Sequence, residues 1–404
     1  MNIPAVVLSC MGAPESDINV VRSLGEHGIN SIVIGEYESA AVAKSRFCSE
    51  FILLPEYTKS PLHLQQALQA LSQRLGTAPV VFPTADPDLA ALNGLQATGA
   101  DYFRNILAPE NLINQLADKR QFEDLAVRIG LPVPRSYDAT SMADVEKIAR
   151  VAQFPLIIKP SQSIGWRHPD IPLKIARSKA IVLHSVKELT DVCRALSVRP
   201  LEVMIQEYVP GGDEEHYDVH AYIDRKGKPI AIFSGRKWRI CPPHAGSGCY
   251  VESVFVPALE KLALDILNKV EYRGIANINF KRHSKTGEYK LLEINPRVSQ
   301  WSILAAKTGV NLPWIAYCDA CDLPADAFPP RRNGVFYVNG KADFRAFRQY
   351  HQNGEWTVWN YLRSLSRTGM VYQNINLSDP LPAMQLTKSW LIEKANQVLG
   401  RSSG

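Results

Sequence analysis

Three polar residues alternate inside an apolar run: Glu293, Asn295 and Arg297 in Leu291-Leu292-Glu293-Ile294-Asn295-Pro296-Arg297. Side chains alternate along a strand, so these three share one face while Ile294 takes the other. A carboxylate, a carboxamide oxygen and a guanidinium on one face suit a hard cation that holds phosphate oxygens. Pro296 ends the strand because it cannot donate to a ladder. The same spacing also fits a half-buried strand with polar residues on its wet face. The rest of the chain has to decide.

Further chemistry-bearing residues stand at the ends of other segments. Lys159 closes an apolar strand over 154–159, with Pro160 and a small-residue loop over 161–165 behind it. Gln206, Glu207, Tyr208 and Val209 close a strand over 201–208, and the acidic turn Asp213-Glu214-Glu215 follows. Lys237 and Arg239 alternate in Gly235-Arg236-Lys237-Trp238-Arg239. Asn279 lies in a strand over 275–282, which pairs with 289–295 around Lys285-Thr286-Gly287-Glu288. Lys119 follows Asp118 near the start of a helix.

The elements that must position them fall into two architectures. The first part alternates short apolar strands (5–9, 31–34, 51–53, 80–82) with helices over 16–27 and 61–75, which implies a parallel sheet with right-handed crossovers. The turn after the first strand has one glycine where a dinucleotide fingerprint needs three, which argues against NAD. Asp86, after the fourth strand, reads first as a helix N-cap and second as a contact for a small substrate. From about residue 111 the chain reads as α+β, with antiparallel pairs and one amphipathic helix over 257–270. Beyond 325 it is loop-rich and carries Trp356, Trp359, Tyr361 and Trp390, which would pack on the core or mediate a homodimer.

Composition narrows the partners. With 404 residues, 46% hydrophobic and 21% charged, the chain can form two or three globular domains. A net charge of +5 without like-charge blocks gives no support to nucleic-acid or membrane binding. No apolar run approaches the ~20 residues of a membrane span, and the start lacks a secretory pattern, so a cytoplasmic protein is expected. The seven scattered cysteines, including a lone Cys318-x-x-Cys321, read as reduced thiols.

In order, Asp118-Lys119-Arg120-Gln121-Phe122, Leu156–Pro160 (LIIKP), residues 205–215 (IQEYVPGGDEE) and residues 291–297 (LLEINPR) resemble the ATP-grasp superfamily across 118–324. The resemblance implies a Rossmann-like parallel-sheet domain over 1–110, then an ATP-grasp fold of two α+β subdomains, a lid over 111–205 and a metal-bearing part over 206–325. A Trp-rich extension over 326–404 follows. It implies ATP with Mg²⁺, or Mn²⁺ in its place. Lys119 and Lys159 would reach the phosphates, and Gln206–Val209 would form the adenine hinge through backbone groups of Glu207 and Val209. Glu214 would take the ribose, with Asp213 or Glu215 as alternatives. Lys237 and Arg239 would face the γ-phosphate, Glu293 and Asn295 would bind magnesium, and Arg297 would steady the transferring phosphoryl group. The family usually has an acid where this chain has Asn279, so a second metal would bind weakly there.

The resemblance further implies a stand-alone carboxylate–amine ligase that forms an amide or peptide bond through an acyl phosphate, with amino acids as expected substrates. Two other classes stay open: carbamoyl-phosphate-synthase-like or kinase-like phosphoryl transfer, and a non-catalytic nucleotide-binding module.

Overall fold

The computed structural model describes residues 3–11, 16–96, 99, 101–160, 166, 170–176, 180–198, 201 and 203–398; the small-residue loop 161–165 lies outside them. Four parallel strands open the chain: β1 (Ala5–Ser9), β2 (Ser31–Gly35), β3 (Cys48–Leu53) and β4 (Val80–Phe82), in the order β3-β2-β1-β4. Every residue of β1 and β2 is buried, as a sheet covered by helices on both faces requires. Helix Pro61–Leu75 covers one face, starting at Pro61 and stopping at Gly76, whose φ of 66° only glycine adopts cheaply.

A second, antiparallel sheet has the order β5-β8-β6-β7, with β5 (Ser136–Ala139), β6 (Leu156–Pro160), β7 (Ile181–Leu183) and β8 (Val203–Glu207). Helices Met142–Val151 and Val186–Leu196 bury Val145, Ile148, Leu189 and Cys193 against one face, together with Leu156, Ile158, Val203 and Ile205. Strand alternation then turns Ile157, Lys159, Met204 and Gln206 to the other face. All four line one cleft.

The third sheet has seven strands: β9 (His216–Ile223), β10 (Pro229–Cys241), β11 (Ser247–Val254), β12 (Gly274–Arg282), β13 (Tyr289–Asn295), β14 (Phe336–Val338) and β15 (Met370–Tyr372), in the order β13-β12-β9-β10-β11-β14-β15. Helix Pro257–Lys269 covers its back with Leu259, Ala263, Ile266 and Leu267.

The sheets redraw the expected boundaries. β8 pairs with β5 and β6, so the lid sheet runs through 207 rather than 205. Helices Glu110–Ala117 and Lys119–Arg128 bury Leu112, Phe122 and Leu125 with Val219, Ile278 and Leu291, so they pack on the large sheet and not on the lid sheet. The extension is not separate either, since β14 and β15 complete the large sheet. Asp379 ties the extension to the first domain by accepting hydrogen bonds from Arg22 Nε (2.8 Å), Ser45 Oγ (2.8 Å) and the Arg46 N–H (2.9 Å). Among the described residues no helix is long and apolar enough to cross a membrane. All seven cysteines are free thiols.

Candidate functional site

A cleft of about 470 Å³ lies where the three sheets meet, lined by Lys119, Lys159, Gln206, Lys237, Glu293 and Asn295 among others. The first helical turn brings in Lys119. Asp118 caps the helix by accepting from the Arg120 and Gln121 N–H groups, and Lys119 Nζ donates to Pro160 O at 2.7 Å. Lys159 comes from the end of β6, and its Nζ donates to Gln206 Oε1 at 3.1 Å. Gln206 Nε2 in turn donates to Glu123 Oε1 (3.0 Å) and Ser136 Oγ (2.9 Å), which fixes the amide and so the lysine.

Burial pushes the Lys119 ammonium below its usual range and Lys159 pushes it further, while Glu293 pulls it back. Burial likewise lowers Lys159, against the pull of Glu293 and Glu123. Two ammonium groups that burial destabilises in one cleft favour a polyanion between them.

The opposite wall is the face of the large sheet. Register places Asp218, Asn279 and Glu293 directly across three adjacent strands, with His220, Asn277 and Asn295 forming the next row. Glu293 is exposed, Ile294 is buried, and Asn295 is half-buried, as the alternation requires. Asn295 Nδ2 donates to Glu293 Oε1 at 3.1 Å, so its carbonyl oxygen takes no part in that bond. These two oxygen donors fit one magnesium ion. Behind them, His220 Nδ1 and Nε2, Asn277 Oδ1 and Asn279 Nδ2 are buried with no partner among the described residues. Burial, then Lys237, lowers His220 to about 3, so its ring is neutral.

Several assignments depart from expectation. Arg239 is fully buried, and its Nε and Nη2 donate to the two oxygens of Asp343 at 2.7 and 2.9 Å. Its guanidinium also lies 4.1 Å from the Tyr250 ring centroid and 4.6 Å from that of Trp356. Strict alternation would put Lys237 and Arg239 on one face, but β10 bulges between them and turns Arg239 away from the cleft. Asn279 keeps its place in the cleft lining, but its Oδ1 accepts from Lys237 Nζ at 2.8 Å instead of standing ready for a metal. Asp86 is no cap. Asp88 accepts from the Thr84 and Ala85 N–H groups, while Asp86 makes a two-point ion pair with Arg297.

Of the hinge residues at the exit of β8, Gln206 lines the cleft, while Glu207, Tyr208 and Val209 lie beyond its lining. The Glu207 N–H donates to Arg135 O at 2.9 Å and the Tyr208 N–H to Pro155 O at 3.1 Å, so an adenine would meet the Glu207 carbonyl and Val209. Of the three neighbouring acids, Asp213 accepts from Tyr350 OH (2.6 Å) and Glu215 from Arg282 Nε (2.7 Å). The Glu214 carboxylate takes no hydrogen bond or ion pair among the described residues.

Sequence reasoning passed over Asp218 and Glu123. Asp218 Oδ1 is 2.7 Å from Lys237 Nζ, and burial, partly offset by that lysine, raises its carboxyl to about 6. The signal was present: His216, Asp218 and His220 alternate with apolar residues just as Glu293 and Asn295 do.

A family model described as "ATP-grasp in the biosynthetic pathway with Ter operon" matches residues 200–342. The N-terminal section of the carbamoyl phosphate synthase large chain of Methanopyrus kandleri is 28% identical over 228 residues, 55% of this chain and 38% of that protein. The chain thus spans well under half the length of that relative. The D-aspartate ligase of Enterococcus faecium is 25% identical over 315 residues, 74% of this chain and 73% of that one. Among solved structures, a biotin carboxylase from Campylobacter jejuni in complex with β,γ-ATP superposes with a TM-score of 0.63 at 15% identity, covering 83% of this chain and 75% of that chain.

Proposed function

The chain belongs to the ATP-grasp superfamily, and from that premise we propose that it is an ATP-dependent carboxylate–amine ligase. One observation carries the reading: two lysines whose ammonium groups burial destabilises, and a Glu293–Asn295 oxygen pair, face each other across a single cleft. Lys119 and Lys159 hold the phosphates of ATP, with Gln206 keeping Lys159 in place. Backbone groups at Glu207 and Val209 hold adenine, and Glu214 holds the ribose. Glu293 and Asn295 hold Mg²⁺, which neutralises phosphate charge when bound; Mn²⁺ suits the same oxygens.

An oxygen of the substrate carboxylate attacks the γ-phosphorus, ADP leaves, and an acyl phosphate forms. An uncharged amine then attacks the acyl carbon and expels phosphate, completing the amide. The protein contributes alignment and charge neutralisation, since a carboxylate is a poor electrophile and its mixed anhydride with phosphate a good one. Arg297 holds a carboxylate already, that of Asp86, which supports this face as the acid-binding wall. Amino acids are the substrates we assign, as carboxylate, amine or both.

The test is a panel of amino acids, singly and in pairs, with product identification. ADP and phosphate should appear only with both a carboxylate and an amine present. Hydroxylamine should trap a hydroxamate when the amine is left out, and oxygen-18 from the carboxylate should reach phosphate. AMP as product, or unlabelled phosphate, removes the reading. ADP release with bicarbonate alone would support carbamoyl-phosphate-type chemistry instead.

A further inference from the structure

Resting on the nucleotide-site reading, we infer that Lys237 is a built-in cation that takes the place of a second metal ion. Its Nζ sits between two oxygens, 2.7 Å from Asp218 Oδ1 and 2.8 Å from Asn279 Oδ1. Both belong to one row across the sheet, Asp218–Asn279–Glu293, so the ammonium lies beside the carboxylate that would hold magnesium. Lysine and partners are buried, with Lys237 6% and Asp218 2% exposed, and Lys237 still lines the cleft. An ammonium has three N–H donors. One donates to Asn279 Oδ1, the ion pair with Asp218 anchors the charge, and an N–H is left for a phosphate oxygen.

The donor set does not fit a second divalent ion. A metal at Asn279 needs the amide oxygen, which Lys237 already holds. Turning the amide over would release the oxygen but press the NH₂ group against the ammonium, donor against donor. Asp218 cannot replace the missing acid at position 279 either, because its oxygen is paired with the same lysine. A mobile divalent ion is thus replaced by a tethered monovalent one. The asparagine at 279 then follows, since an acid there would give one ammonium two carboxylates.

The experiment counts Mn²⁺ bound per chain at saturating AMPPNP, from the loss of the free Mn²⁺ EPR signal, in the full-length protein. Wild type should bind one Mn²⁺ per chain with the nucleotide. Lys237→Met should bind two, and Lys237→Arg one. If the methionine variant does not fold, Lys237→Gln, uncharged and able to hydrogen-bond, should give the count of two. Asn279→Asp should leave the count at one, because the ammonium stays. Two Mn²⁺ ions in wild type would overturn the inference while leaving the nucleotide site intact, and one ion in both neutral variants would overturn it equally. No Mn²⁺–nucleotide binding at all would remove the site reading and the inference together.

Discussion

Arg297, just past β13, is gripped at two points by the carboxylate of Asp86, which lies 211 residues earlier in the parallel-sheet domain. The guanidinium is largely enclosed and the carboxylate is 72% exposed. Asp86, exposed on the first turn of the helix Asp86–Gln96, therefore holds Arg297 where the proposed substrate carboxylate would bind it. Pairs this exposed are worth up to about 1 kcal/mol, so an incoming acid can displace it.

Asp86→Asn should accordingly lower KM for the carboxylate substrate by up to about fivefold, the ratio that ~1 kcal/mol supports, with kcat unchanged. Steady-state kinetics with the carboxylate varied decides it. A fall in kcat at constant KM would make Asp86 a positioning residue for Arg297 instead of a competitor.

Glu293→Gln tests the metal wall. The side chain is exposed, so the fold should keep its melting temperature, while ATP turnover should fall about 100-fold or more, the scale of removing one charge-stabilising group. ADP production measured beside a thermal melt separates the two effects. Near-normal turnover in a folded variant would return Glu293 to the wet face of an ordinary strand.

The opposite behaviour is expected of Arg239. Removing one partner of a buried ion pair leaves the other charge stranded, at a cost of about 3–5 kcal/mol. Arg239→Met should therefore unfold at much lower denaturant, and Arg239→Met with Asp343→Leu should recover part of the loss. If Arg239→Met instead kept full stability and lost only ATP turnover, Arg239 would belong to the cleft after all.

These contrasts mark what the sequence could and could not reveal. β13 was legible to the residue because Glu293, Ile294 and Asn295 alternate and Pro296 stops the strand, although Leu292 is an extra residue in the ladder. Alternation failed at Arg239, where one extra residue in β10 inverts every side chain beyond it. β14 and β15 have three residues each, too few for any period, so the extension read as loops. The helix carrying Lys119 was assigned to the lid by motif order, yet Phe122 and Leu125 pack on the large sheet. Asp86 and Arg297 could not be paired from spacing at all, since only the docking of two domains brings them together.

The turn between β10 and β11 carries the pH-dependent element. His244 lines the cleft and adopts a φ of 66°, and the backbone there is pinned by its N–H donating to Asp213 Oδ2 at 2.9 Å. Its ring bridges Asp213 (Nδ1, 3.2 Å) and Glu355 (Nε2, 3.1 Å), and Tyr350 OH donates to Asp213 as well. His216 also faces Asp213, at 4.0 Å, but burial, then Lys281 and Lys237, lowers it to about 3 and keeps it neutral. The bond to Asp213 raises His244 to about 9 against the opposing effect of burial, and Asp213 itself is lowered. A raised histidine stabilises the fold fully below its unfolded value of ~6.5, and that contribution is lost as pH rises through about 9. The lowered carboxyl adds stability above its unfolded value of ~3.9, lost as pH falls through its folded value. His244→Asn keeps a residue that tolerates positive φ and removes the titrating ring with its contacts, of which only the charge depends on pH. The melting-temperature gap between wild type and this variant should be widest between about pH 4 and 6.5 and should close above pH ~9. A gap that does not change with pH would mean the histidine is held there by shape and hydrogen bonds, and not as a cation.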